Sequence, residues 1–350
     1  MLQPCLTPLF SRNAYIEDHF LMDEKAVHQS AHTLLSCGDN FRLMKHAVDE
    51  LYRVFSTITG VTIEQLNGDK EIGLPSGKAI STSAAAHCLL EMKRTAVFLR
   101  GINSAISVKI SEVAGRPVRI LYAGTGPYGT LVIPLLKLYK AEELTVDLLD
   151  INSESLAALQ KVTDTLTLGL YIGEVYCTDA TKFVVTKPYD IVISETMLAC
   201  LKSEPQVAIM QNLVPQLSEA CLFIPEEISV DAFLTNPKLE TDRLFYSGTE
   251  PLPFQRRLIE NVFKISKLSI ILSRKTLSVP EFITAFPVLK LFTTVTVYGN
   301  EVLTGNDSSI TMPKQYFDFR KQNAREVEFW YVQGEKPRIE SRVVQQSVLQ

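Results

Sequence analysis

Apolar residues fall three and four apart through HFLMDEKAVHQSAHTLL, NFRLMKHAVDELYRVFSTI and AAAHCLLEMKRTAVFLRGINSAISVKISEV, which gathers them on one face of a helix. Residues 1–115 therefore read as a helical N-terminal region, with NGDKEIGLPSGK as a loop inside it. The period changes at Val118. RILYAG, LTVDLLD, EVYCTD and YDIVISE are short β-rich runs ending in polar residues or glycine, with amphipathic stretches such as SESLAALQKVTDTL between them. Alternating strand and helix predicts a parallel sheet covered on both faces, a Rossmann-like α/β unit over residues 116–225. Beyond Pro225 the pattern becomes that of successive strands: EISVDAFLT, RLFYSG, KLSIILSR, KLFTTVTVYGNEVLTG, SSITM and REVEFWYVQGEKPRIESRVV, with turns at YGNE and QGEK. Residues 226–350 are expected to form a mostly antiparallel, barrel-like β domain.

Composition narrows the function. The 350 residues exceed one compact core, so two or three units are expected, and a hydrophobic fraction of 46% can build them. A net charge of -4 and a pI near 5.8 give no basic field for a phosphate backbone, which points away from nucleic acid and towards cationic or neutral ligands. Six scattered cysteines without a CxxC pair read as buried thiols of a reducing compartment. MLQPCLTPLF lacks the charged and apolar regions of a secretory signal, and no window is apolar for the roughly 18 residues a membrane span needs. The expectation is a soluble, cytoplasmic protein with no membrane partner.

Chemistry first appears at VRILYAGTGPYGT. Gly124, Gly126 and Gly129 follow a strand and are expected to open a helix near Thr130; glycine there lets the backbone turn tightly and approach a ligand. Asp150 ends the next strand, where an acid can accept both hydroxyls of a ribose. Asp179 ends the third, over the same crevice, as an acceptor for an adenine amino group or as a plain strand-end cap. The same pattern is also the dinucleotide fingerprint, so the turn alone does not name the nucleoside.

A fourth strand ends in SETMLACLKSE, which places Glu195 and Glu204 on one short loop at the carboxyl edge of the sheet. Together with the glycine turn, this segment resembles the class I S-adenosylmethionine-dependent methyltransferases and, more narrowly, the protein arginine methyltransferases, whose loop has the form SExMxxxLxxE. Ser194, Glu195, Met197, Leu201 and Glu204 match it, and MKRTAVFLR resembles the family helix whose arginine holds the methionyl carboxylate, which assigns that role to Arg94. The resemblance runs from about Met92 to Ser229 and implies S-adenosylmethionine as cofactor, Glu195 and Glu204 as catalytic acids, Met197 as a substrate contact, and dimerisation through an arm that has no recognisable counterpart here. Three departures stand out. Tyr122 occupies the place of an acid two positions before the first glycine. All five histidines precede the glycine turn, so the family's Thr-His-Trp loop has no equivalent. The N-terminal hundred residues match nothing in that family.

Two carboxylates suit a guanidinium. It stays protonated with a pKa of roughly 12.5 or above, and its delocalised charge leaves no lone pair to attack a methyl group. Acids gripping it from two sides localise the charge away from one terminal nitrogen and hold that nitrogen in line at about 3–3.5 Å. They also offset the cationic sulfonium beside it. The departures favour free arginine or a small guanidine of a biosynthetic pathway over arginine in a protein. Two other readings stay open: an NAD-dependent oxidoreductase, which leaves the glutamates idle, and a non-catalytic nucleoside-binding module, motivated by Tyr122. His28 and His32, four apart on a helix, lack the further ligands of a metal site. Ser194 lacks a downstream histidine, PFQRRLIENVFKISK reads as a solvated helical face, and Phe329, Trp330 and Tyr331 read as strand residues with core packing.

Overall fold

The computed structural model describes residues 11–67, 70–113, 115–244, 256–270, 272–280, 284–321 and 324–344, of which 11–21, 66–67 and 243–244 by their backbone alone. Helices α1 (Ser11–Ser36) and α2 (Phe41–Thr59) form the first hairpin. In α2 the buried residues Met44, Ala47, Val48, Leu51, Val54 and Phe55 make one stripe. Asn40 caps its start by accepting the Leu43 N–H, and Gly60 ends it at φ +74°, a left-handed conformation that glycine takes without strain. The expected loop at NGDKEIGLPSGK instead contains a hairpin, β1 (Ile72–Leu74) and β2 (Gly77–Ala79), turning at Pro75-Ser76. The third expected helix is broken in two. Helix α3 (Thr82–His87) gives way to a 3₁₀ turn at Cys88–Leu90 before α4 (Met92–Glu112) begins.

Strands β3 (Val118–Ala123), β4 (Leu144–Asp150), β5 (Ile172–Cys177), β6 (Ile191–Ser194) and β7 (Leu222–Ile224) form one parallel sheet in the order β5-β4-β3-β6-β7. β3, β4 and β6 are buried almost throughout, as strands covered on both faces must be. The chain order reverses between β3 and β6, and a ligand crevice forms beyond the carboxyl ends of strands at such a switch. Of the crossovers, α5 (Ser153–Thr165) joins β4 to β5 and α6 (Gln206–Leu213) precedes β7. No α-helix starts at Thr130: after the glycine turn the chain makes turns and a 3₁₀ helix, Ile133–Leu138. Gly129 at φ +57° and Pro134, which has no N–H and restricts the residue before it, explain the difference.

The C-terminal residues form two antiparallel sheets. β8 (Glu227–Thr235) follows the parallel sheet directly and alternates buried and half-buried residues. After α7 (Pro237–Leu244) come β9 (Arg256–Ser266), β10 (Lys275–Ser278), β11 (Val288–Tyr298), β12 (Glu301–Leu303), β13 (Lys314–Asp318), β14 (Glu326–Val332) and β15 (Arg338–Val344). One sheet runs β12-β11-β8-β9, with β13 also on β11, and the other runs β10-β14-β15. The described part of PFQRRLIENVFKISK, from Arg256, is therefore strand β9, not a helix: two bulges against β8 break its period-2 pattern. SSITM is a 3₁₀ turn, Ser309–Thr311, closed by a Ser308–Thr311 capping box, and the described residues of KLSIILSR make an isolated bridge, Ser266 to Ser269, in place of a strand. The strand expected at RLFYSG begins in the last turn of α7, and the rest lies outside the described residues. No described helix is long and apolar enough to cross a membrane.

One hydrophobic core runs from Val27 in α1 through the parallel sheet to Val295, Val297 and Ile310, and a second fills the C-terminal sheets around Phe263, Leu289, Phe317 and Phe329. Helix α4 ties the halves together where Gly101 lies against β11. A Cβ built there would stand 2.6 Å from Val297 Cγ1 and 3.3 Å from the Tyr298 nitrogen. Helix propensity favours alanine over glycine by about 1 kcal/mol, but overpacking costs about 1–3 kcal/mol. Gly101→Ala is thus expected to lower stability, and Gly101→Val to lower it by about 2 kcal/mol or more, in urea unfolding followed by circular dichroism.

Candidate active site

A cavity of about 280 Å³ opens at the switch point. Its floor is the end of β3, with Tyr122, Gly124, Thr125 and Gly126; one wall is the end of β4, with Asp150, and the other is the loop after β6, with Glu195, Met197 and Glu204. Arg94 from α4 and Asp179 after β5 also line it.

The glycine turn is built as a cradle. Gly124 and Gly126 have φ of +81° and +60°, and a Cβ on Gly124 would stand 2.5 Å from Thr196 Cγ2, one on Gly126 3.2 Å from Ala85 Cβ. Gly129 lies outside the lining: a Cβ there would meet Ile133 Cγ1 at 2.5 Å and Leu159 Cδ1 in α5 at 3.0 Å, so this glycine lets the turn pack against α5. Asp150 braces the turn from the next strand. Its Oδ2 accepts the Gly126 N–H at 2.9 Å and its Oδ1 the Asn152 N–H at 2.8 Å; burial pushes its carboxyl up against those bonds. A carboxylate has about four acceptor positions, so part of Asp150 stays available to the cavity. Asp179 is hydrogen-bonded within its own loop and also borders the cavity. Its Oδ1 accepts from Thr181 N–H at 2.9 Å and Thr181 Oγ1–H at 2.7 Å as a cap.

Arg94, Glu195 and Glu204 are all buried, at 8%, 8% and 7% exposure, so their charges meet little water. Arg94 Nη2 donates to Glu195 Oε2, and Nη1 donates to Glu91 at 3.2 Å. The arginine assigned to the cofactor carboxylate by resemblance is thus bonded to one of the two acids. Glu195 Oε1 has no partner among the described residues, and an unpaired buried carboxylate oxygen is costly unless something cationic or protic meets it. Burial raises the Glu204 carboxyl to about 7, against the opposing pull of Arg94 and Lys78. Met197 is buried within the same lining.

The loop that presents these acids is held in an unfavourable conformation. Cys200, Leu201 and Ser203 have φ of +59°, +54° and +69°, and none is glycine. Their anchors come from elsewhere in the chain. Thr293 Oγ1 in β11 accepts the Cys200 N–H at 2.8 Å, Tyr331 in β14 donates to the Leu201 carbonyl at 3.0 Å, and the Pro337 carbonyl accepts the Ser203 N–H at 2.8 Å. Gln206 locks the other end, its Oε1 accepting from Thr196 N–H and Oγ1–H.

Several contributors escaped the reading of the sequence. The N-terminal region supplies Leu74, Lys78, Ala85 and Cys88, and the C-terminal domain supplies Ser309, whose N–H donates to Glu91 at 3.1 Å. Thr82 joins these N-terminal residues to the start of α5 through Ser155 at 3.2 Å and Asn152 at 3.0 Å. Only Gln206, two residues past Glu204, sat near enough to a motif to be noticed. His28 and His32 meet edge to face at 4.5 Å on α1, and no described group of three His, Cys, Asp or Glu could hold a metal. Ser194 Oγ is buried without a described partner and does not line the cavity.

No protein-family model matches the chain, and no curated protein matches it. Among solved structures it is similar to the Trypanosoma brucei PRMT1 enzyme-prozyme heterotetrameric complex with AdoHcy, at 13% identity and a TM-score of 0.49 over 75% of this chain and 93% of that one. It is also similar to PRMT6 in a crystal structure, at 12% identity and a TM-score of 0.47 over 70% of this chain and 96% of that one. At such identities and scores the likeness says nothing of substrate.

Two predictions follow from the geometry. Thr293→Val is nearly isosteric and leaves the buried Cys200 N–H unpaired, so a loss of about 1–3 kcal/mol is expected in thermal unfolding. The second concerns pH. The folded pKa of Glu204, about 7, lies above its ordinary 4.5, so the folded state holds this proton more tightly. The stability it contributes is complete below about pH 4.5 and is lost as pH rises towards 7. Glu204→Gln should flatten that slope and make the ligand-free protein more stable than wild type at pH 8, read from urea midpoints.

Proposed function

We propose that this cavity binds S-adenosylmethionine beside a guanidino compound and that the protein is an S-adenosylmethionine-dependent guanidino N-methyltransferase. The observation that carries the reading is the placement of Glu195 and Glu204, both buried, in one cavity with the glycine cradle and Asp150. The cradle suits the nucleoside end of the donor: Gly124 and Gly126 leave room no side chain would, Asp150 would take the ribose hydroxyls, and Asp179 the adenine amino group. Arg94 would hold the methionyl carboxylate. The donor, when bound, supplies a methyl group activated on a sulfonium.

The chain's own residues then do three things. The unpaired Glu195 Oε1 and the Glu204 carboxylate accept from the guanidinium, charge-assisted bonds that fix its plane and leave one terminal nitrogen to react. Their negative charge offsets a second cation in a site with little water. A cationic guanidinium and a cationic donor yield a cationic methylguanidinium and a neutral thioether, so one proton must leave. Glu204, whose pKa is raised to about 7, is the acceptor best matched to neutral pH.

Free arginine or another small guanidine is the proposed substrate. In support, no histidine follows the glycine turn, and the C-terminal domain reaches the cavity through Ser309 instead of a Thr-His-Trp loop. The oxidoreductase alternative gives Glu195 and Glu204 no task. A ligand selective for the folded state adds about 2.7 kcal/mol at a hundredfold its Kd. S-adenosylhomocysteine should therefore raise Tm by several degrees and NAD should not. Glu195→Gln should cut turnover at least ~100-fold and leave S-adenosylhomocysteine affinity within a few-fold, since the lost charge serves the substrate. Stabilisation by NAD alone would reverse the assignment.

A further inference from the structure

A second, more open hollow of about 920 Å³ adjoins the first. The two share Leu74 and Lys78, so the β1–β2 hairpin is their common wall. The loop at Lys202-Ser203 and the β14–β15 turn at residues 335–338 complete the outer hollow. Backbone bonds stitch the three segments together: Lys78 N–H donates to the Ser203 carbonyl at 2.9 Å, and Ser203 N–H to the Pro337 carbonyl at 2.8 Å. Gly77 makes the close approach possible. It lies at φ +137°, and a Cβ there would stand 2.7 Å from the Ser203 oxygen and 3.2 Å from the Glu204 carbonyl carbon.

The charge of this hollow is opposite to that of the cavity behind it. Lys78, Lys202, Lys336 and Arg338 line it against one carboxylate, Glu335, in a chain whose net charge is -4. Lys78 is paired with Glu71 at 2.5 Å and Arg338 with Glu340. Lys202 and Lys336 are exposed and have no acidic partner among the described residues. An acid-lined cavity beside a basic hollow, with Leu74 and Lys78 on the border of both, is complementary to a molecule with a cation at one end and an anion at the other. It also disfavours arginine-rich peptides, whose neighbouring cations would face Lys202 and Lys336. Three walls joined to one another by backbone bonds suit an end group better than a polypeptide passing through.

We propose that the outer hollow binds the carboxylate of the substrate whose guanidinium enters the inner cavity, with Lys202 and Lys336 as its specificity-determining residues. The substrate class is thereby a guanidino acid, arginine itself or a near relative. This deepens the methyl-transfer reading and rests on it.

The test compares four acceptors with labelled donor: L-arginine, agmatine, which is arginine without its carboxylate, a peptide with arginine between acidic residues, and an arginine-glycine peptide. Arginine should exceed agmatine at least tenfold in kcat/KM and exceed both peptides. K202E/K336E, a change at two exposed positions whose folding is checked by circular dichroism, should raise KM for arginine about tenfold with kcat within twofold, and leave KM for agmatine unchanged or lower. Agmatine performing as well as arginine, equal effects of the variant on both, or preference for either peptide would overturn the inference while leaving methyl transfer to a guanidinium in place. Methylation of none of the four would overturn both.

Discussion

Three anchors hold Cys200, Leu201 and Ser203 in left-handed backbone, and the placement of both glutamates depends on them. Such residues cost about 1–3 kcal/mol each, so the conformation persists only because Thr293, Tyr331 and Pro337 over-determine it. Those anchors belong to β11, β14 and the turn before β15. The C-terminal sheets are thus more than a covering domain: they turn the chain back between Glu195 and Glu204 so that both carboxylates reach one cavity. The N-terminal region closes the same loop from the other side, where Lys78 bonds to Ser203 and Gly77 gives the hairpin room.

The cavity formed in this way carries an electrostatic imbalance. Asp150, Glu195 and Glu204 are buried around one buried arginine, and burial pushes Glu204 and Asp150 towards their neutral forms. Asp150 is compensated by the backbone N–H groups of Gly126 and Asn152, whereas Glu195 retains an unpaired oxygen and Glu204 a pKa near neutrality. Groups left in that condition are stabilised by an incoming cation, and they cluster at sites that bind one. The basic hollow outside adds direction: a zwitterionic acceptor would be drawn in guanidinium first.

Much of this was legible in the sequence, and the failures have physical causes. The parallel sheet was readable because β3, β4 and β6 are short, mostly apolar runs, and the glycine turn, Asp150 and the glutamate pair follow from what stands at their carboxyl ends. The strand β9 was not, since bulges against β8 disrupt the alternation on which a strand is recognised. The helix expected after Gly129 was lost to Pro134, a local signal that could have been weighed. Gly129 itself packs against Ile133 and Leu159, outside the cavity lining. The N-terminal residues Lys78, Ala85 and Cys88 carry no motif, and only the fold brings them to the cavity. The Arg94–Glu195 pair links residues from two elements far apart in the chain, which spacing cannot reveal.

The central claim is that the cavity directs a methyl group to a guanidino nitrogen. Its most direct measurement is a single turnover with donor labelled at the methyl carbon, with the product of L-arginine followed by carbon NMR. The label should move from sulfur to a terminal guanidino nitrogen; a label that stays on sulfur with every guanidine offered would contradict the account.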